Sequence, residues 1–110
     1  MLLSGLFGNE TAEKVLLSIA NYGSGYPRGI ASIFRVPVSQ VQRQVERLER
    51  EAILSSRLIG RTRVYEFNPR YMFREELEAL LKKALKNLPA QVMDEYFTQR
   101  ARPRRRGKPL

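Results

Sequence analysis

A mainly helical fold with one small β-hairpin, a winged helix-turn-helix, is what three observations in the sequence predict. Apolar residues Ile30, Ile33 and Phe34 recur at helical spacing and stop at Val36-Pro37. A second helix rich in Gln and Arg follows, and beyond it two runs of β-branched and aromatic residues meet at Gly60-Arg61. Helix, turn, helix and hairpin in that order present the second helix outward with the hairpin standing beside it as a two-stranded wing.

Taken along the chain, Asn9 or Thr11 caps a helix running to about Tyr22. Val15, Leu16, Ile19 and Ala20 recur at helical spacing, and Glu10 and Glu13 sit near its positive end. The run Tyr22-Gly-Ser-Gly-Tyr26-Pro27 halts it. Pro27 suits the first turn of the next helix, because the N–H it lacks is one that a helix start leaves unpaired. That helix buries Ile30, Ile33 and Phe34 and ends near Arg35. Val36 precedes a proline and is pushed out of helical geometry, so the turn falls at Val36-Pro37 and a new helix starts at about Val38.

In that second helix Val38, Val41, Val45, Leu48 and Ala52 fall at intervals of three and four and are expected to face inward. The opposite face carries Ser39, Arg43, Glu46 and Arg50, flanked by Gln40 and Arg47 on one side and Gln42 on the other. Arg offers a two-pronged donor set to guanine O6 and N7, and Gln matches adenine N6 and N7, each good pair contributing about 1–3 kcal/mol of discrimination. A solvated face held by pairs such as Glu46 with Arg50 has the same pattern, so the helix alone leaves both readings open.

Ser55 to Ile59 and Thr62 to Phe67 read as strands, with Gly60-Arg61 as a two-residue turn. Arg57, Arg61 and Arg63 crowd the tip, with no acid before Glu66. Guanidiniums so placed suit phosphates or a minor groove, although an edge hairpin also carries Arg to block edge-to-edge pairing. Past Asn68-Pro69-Arg70, the residues Leu77, Leu80, Leu81, Ala84, Leu85 and Leu88 predict an amphipathic helix over about Phe73 to Asn87. Its acids, Glu75, Glu76 and Glu78, lie at the start and its bases, Lys82, Lys83 and Lys86, at the end, as the helix dipole favours. After Leu88-Pro89, Ala90 to Arg100 reads as a last helix with Val92, Met93, Tyr96 and Phe97 on one face.

The expected organisation is a winged helix-turn-helix over residues 1–70, C-terminal helices over 71–101 serving dimerisation or core extension, and a basic, disordered tail over 102–110. A core of this size has limited room for two further apolar stripes. One of them, or Met1 to Phe7, is therefore expected to cover a symmetry mate in a homodimer, the alternative being that both helices pack on the chain's own core.

Charge narrows the function classes. The chain of 110 residues carries a net charge of +9 from 20 Lys and Arg against 11 Asp and Glu, which suits a polyanionic partner. By segment the charge is 0 over residues 1–34, +4 over 35–70, −1 over 71–98 and +6 over 99–110, so the excess falls on the helix pair, the wing and the tail. Without Cys or His there is no disulfide framework, no zinc site of the usual kind and no imidazole, and neither a metal nor a cofactor is expected. Scattered carboxylates and the lack of a nucleophile motif point away from an enzyme, and the lack of paired exposed aromatics points away from RNA. The apolar opening Met1-Leu2-Leu3 breaks at Ser4-Gly5, too early for a secretion signal or a membrane span, so a cytoplasmic location is expected.

The stretch from Val36 to Leu54, followed by Gly60-Arg-Thr-Arg-Val-Tyr65-Glu-Phe-Asn-Pro69, resembles the ArsR-type winged-helix transcriptional regulators. It is especially similar to the small modules of that group found beside nucleotidyltransferase domains, whose opening also looks like Leu6-Phe7-Gly8. The resemblance covers about Leu6 to Arg70. It implies that the second helix of the pair lies in the major groove, with Ser39, Gln40, Gln42, Arg43 and Arg47 reading or positioning double-stranded DNA and with Arg61 and Arg63 forming the wing. Arg35 at the turn, and Arg57 and Thr62 on the hairpin, complete the expected site. Pro37 and Val38 stand where the family usually places a capping Ser and a Pro, and the Cys and His ligands of its metal-sensing branch are missing. The expected function is sequence-specific, dimeric regulation of transcription. The alternatives are a protein-interaction module that recruits a nucleotidyltransferase-like partner, and a non-specific architectural DNA binder.

Overall fold

A single helical turn, Ser4–Phe7 (α1), precedes the first long helix, Glu10–Tyr22 (α2), in this computed structural model, which describes residues 1–98. The tail expected over 102–110 lies outside the described residues. The Asn9 side chain accepts from the Ala12 N–H and so starts α2 with a true side-chain cap. Ala12, Val15, Leu16, Leu17 and Ile19 of α2 are all buried, and the helix packs against α1 and both later long helices. Glu13, expected as a partner of the helix dipole, is instead fully buried. Its Oε2 accepts from the Leu3 N–H at 2.7 Å, and the Met1 ammonium lies 3.9 Å from its Oε1.

Pro27–Phe34 (α3) begins with its proline in the first turn and buries Ile30, Ile33 and Phe34 as the spacing predicts. It ends at Arg35, whose backbone is left-handed with φ 58°. Val38–Arg50 (α4) follows the Val36-Pro37 turn, with Pro37 at its N-cap and no side-chain cap bond. Val41, Val45 and Leu48 are buried; Val38 and Ala52, expected inward, are not. The inward stripe stops short because α4 itself stops. Glu51 caps it and Ala52 turns left-handed at φ 65°, with Ala52 N–H donating to Glu49 O and Ile53 N–H to Leu48 O. That pair of bonds is a Schellman closure, which usually places glycine where Ala52 stands.

Leu54–Ile59 (β1) and Thr62–Phe67 (β2) pair antiparallel from Leu54↔Phe67 to Ile59↔Thr62. Gly60 takes φ 63° and Arg61 does not share a positive φ, the combination of a type II′ hairpin turn. The hairpin is fastened to the helices at Tyr65, which is buried and exchanges two backbone hydrogen bonds with Gly25 at 3.0 and 2.7 Å. A Cβ at Gly25 would meet Ile30 Cδ1 at 2.9 Å, so a larger residue there would displace the end of that side chain.

Arg74–Lys86 (α5) lies against α2 and sends Leu81, Ala84 and Leu85 into the core, joined by Leu88. Ala90–Tyr96 (α6) ends before the expected Arg100 and closes over α3. Phe34 stacks on Tyr96 at 4.9 Å and meets Phe97 edge-on at 5.8 Å. Asn21 Nδ2 donates to Phe97 O, and Tyr22 OH donates to Tyr96 O. The C-terminal helices thus extend the chain's own core, while Leu80, Phe73, Met72, Leu6, Leu2 and Met1 keep apolar surface outside it. The architecture is a winged helix with two added C-terminal helices.

Candidate nucleic-acid interface

Helical geometry sorts the polar residues of α4 into a ridge and two shoulders. With about 100° between successive residues, the buried Val41, Gln44, Val45 and Leu48 define the inner face, and Ser39, Arg43, Glu46 and Arg50 form the ridge opposite. All four ridge residues are exposed. The guanidinium of Arg43 makes no hydrogen bond or ion pair among the described residues and is available to a ligand.

The shoulders are less free. Gln40 lies toward the start of α2, its Oε1 accepting from Thr11 Oγ1 at a long 3.4 Å. Arg47 donates through Nε and Nη2 to the Oε1 of Gln44, at 3.2 and 2.9 Å, so the amide of this buried residue holds the guanidinium along the helix. On the other side Gln42 donates to Glu46 Oε2 at 2.8 Å. Of the α4 residues expected at DNA, then, Ser39 and Arg43 stand ready, whereas Gln40, Gln42 and Arg47 each hold a partner within the chain. Arg35 is exposed at the turn and apart from the ridge.

The wing carries its cations on two faces. Directly paired residues share a face of a hairpin, so Arg63 lies with Leu58 and Ser56, while Arg57 lies with Val64, Ile59 and Thr62 on the reverse. Arg63 Nη1 donates to Ser56 Oγ at 3.0 Å, and that hydroxyl donates to Glu49 Oε2 at 2.6 Å. This relay anchors the wing's guanidinium to α4. Arg57, Arg61 and Thr62 are exposed.

Wing and helix meet at a groove of ≈ 320 Å³ lined by Tyr26, Pro27, Arg28, Val38, Gln42, Arg61, Thr62 and Arg63. Three arginines therefore line one cleft, together with Pro27 at the start of α3. Val38, 40% exposed, lines this cleft and so departs from the inward stripe. Arg57 lies outside the lining.

Arg28, Ser56 and Glu49 were not foreseen from sequence. Arg28 is a lone cation on an otherwise apolar short helix, and only the tertiary placement of the wing gives it company. Glu49 supports the wing by accepting from Ser56. It also acts on Tyr65, whose phenol is raised above its ordinary 10.0, first by burial and then by the carboxylates of Glu49 and Glu46. Among the described residues no three His, Cys, Asp or Glu side chains gather where a metal could be held, and no helix is long and apolar enough to cross a membrane.

No family model matches the chain, and no curated protein does. Among solved structures the fold is similar to that of the YusO protein from Bacillus subtilis. The two share 20% identity and a TM-score of 0.56 over 78% of this chain and 61% of that one. At that identity the likeness bears on the fold, and this chain spans about three-fifths of its neighbour's length.

Proposed function

We propose that the protein is a sequence-specific regulator of transcription that binds double-stranded DNA, with α4 in the major groove and the wing on the backbone and the adjacent minor groove. The observation that carries this reading is the cleft between α4 and the wing. If the helix fills one groove and the hairpin reaches the next, the sugar-phosphate strand that divides the two grooves has to pass between them. Arg28, Arg61 and Arg63 stand on that path, and the ridge of Ser39 and Arg43 stands beside it with side chains suited to base edges. The ArsR-type resemblance, a cytoplasmic location and the absence of catalytic activity belong to the same proposal. So does a homodimer, for which the apolar surface left at Met72, Phe73 and Leu80 is the available contact.

A binding selection against random duplexes tests it. The wild-type protein enriches a motif; Arg43→Ala and Gln40→Ala relax base preference at particular positions; Arg61→Ala weakens binding to all sequences alike and lowers the log–log salt slope by about 0.9. Enrichment of no motif, with steeply salt-dependent affinity, would reject specific regulation and leave architectural binding.

A further inference from the structure

Strand β2 borders two clefts. Its first residues, Thr62 and Arg63, line the groove beside α4, and its last, Glu66 and Phe67, line a second one of ≈ 330 Å³ that α2 and α5 complete. The two differ in charge. The first is lined by three arginines and no acid, whereas the second sets Glu66 and Glu78 against Arg74 and Lys82 and is neutral as a whole, on a chain of net charge +9. It offers a polyanion no net attraction.

Arg74, Glu78 and Lys82 follow one another at intervals of four and so share one ridge of α5. Arg74 pairs with Glu78 at 3.7 Å, which leaves the exposed Lys82 as the free cation of that ridge. Across from it on β2, the half-buried Glu66 carboxylate is free as well. Among the described residues neither group makes a hydrogen bond or an ion pair, with the other or with any third partner. Two opposite charges thus border one cleft without reaching each other, and Ala20, Phe67 and Pro69 give the same cleft an apolar lining.

We infer that this cleft binds a small zwitterion with an apolar body, an α-amino acid bearing an aliphatic side chain, its ammonium held by Glu66 and its carboxylate by Lys82. The inference goes beyond the DNA-binding reading and does not depend on it. A half-buried carboxylate without a partner is incompletely solvated, and a ligand ammonium supplies it with charge-assisted hydrogen bonds. An anion alone would satisfy Lys82 but face two carboxylates; a cation alone would satisfy Glu66 but face Arg74 and Lys82. A ligand of both signs answers both walls at once. The volume lies at the small end of the about 300–1,000 Å³ usual for small-molecule sites, which suits a ligand of amino-acid size. The apolar lining gains from a hydrocarbon side chain that displaces its water.

The full-length protein, without DNA, is titrated with L-leucine and followed through its backbone amide resonances. L-leucine should bind saturably with a Kd of about 1 mM or below and move the amides of Ala20, Glu66, Phe67 and Lys82 most. Glycine lacks the hydrocarbon, isoamylamine the carboxylate and isocaproate the ammonium; each should bind at least about tenfold more weakly. Glu66→Gln should weaken leucine binding by a similar factor and erase the preference for leucine over isocaproate. Lys82→Gln should likewise erase the preference over isoamylamine. Resonances unchanged away from the substituted side chain show that each variant is folded. Leucine binding that does not saturate, shifts centred elsewhere, an analogue that matches leucine on the wild-type protein, or a preference that survives its matching variant would each overturn the inference. None of these results bears on DNA binding, and a failure to enrich any duplex would leave this site standing.

Discussion

The α2–α5 side of the molecule and the α4–wing side use their side chains in opposite ways. Around α2, apolar groups vanish into a shared core and even a carboxylate, Glu13, is enclosed and held by a backbone N–H. Across α4 and the wing, long charged groups stand in solvent, and those that have partners are held by other polar side chains through bonds that a ligand can replace. Core and exposed charge are therefore written on different residues of the same elements, α4 turning Val41, Val45 and Leu48 inward while its outer face is left to solvent.

That contrast can be broken most forcefully from the core. Leu17→Ala removes a fully buried side chain from the middle of α2 and should cost about 2–5 kcal/mol of unfolding free energy in denaturant titration. The triple variant R28A/R61A/R63A is the matched experiment on the other side. Its stability should shift by no more than about 0.5 kcal/mol per site, whereas the salt slope of duplex binding should fall by about 0.9 for each phosphate that the variant no longer neutralises. A large drop in stability in the triple variant would mean that the wing belongs to the core rather than to a partner.

Helix ends sharpen the comparison with smaller effects. Asn9→Ala removes the cap of α2 and should cost about 1 kcal/mol. Ala52→Gly should act the other way, raising stability by up to about 1 kcal/mol, because the position already holds a left-handed φ that glycine adopts without strain. Neither should alter DNA binding beyond its effect on the folded fraction.

The smallest expected effect is on alkaline stability. Folding raises the Tyr65 phenol above 10.0, mainly through burial. Above that pH the unfolded chain loses the proton first and so binds fewer protons than the native state. Stability therefore declines as pH rises from 10.0 through the folded value. Tyr65→Phe should flatten that part of the curve of unfolding midpoint against pH; an unchanged slope would show that other tyrosines or lysines set it.

Much of the local structure was decided by short-range chemistry that the sequence displays. Asn9 as a cap, Pro27 in a first turn, Val36-Pro37 as a helix break and Gly60 in a tight hairpin each act through their own backbone or that of near neighbours. The ridge of α4 was legible for the same reason, since helical periodicity alone puts Ser39 and Arg43 opposite Val41 and Val45. Long-range packing decided the rest. Glu13 is buried because the chain start folds back over it, and Val38 is left lining the cleft below the wing. Arg28 joins Arg61 and Arg63 because the Gly25–Tyr65 bridge pins the hairpin beside α3. Periodicity and capping fix which way a side chain leaves its own helix or strand; only the docking of elements distant in sequence settles what it then meets.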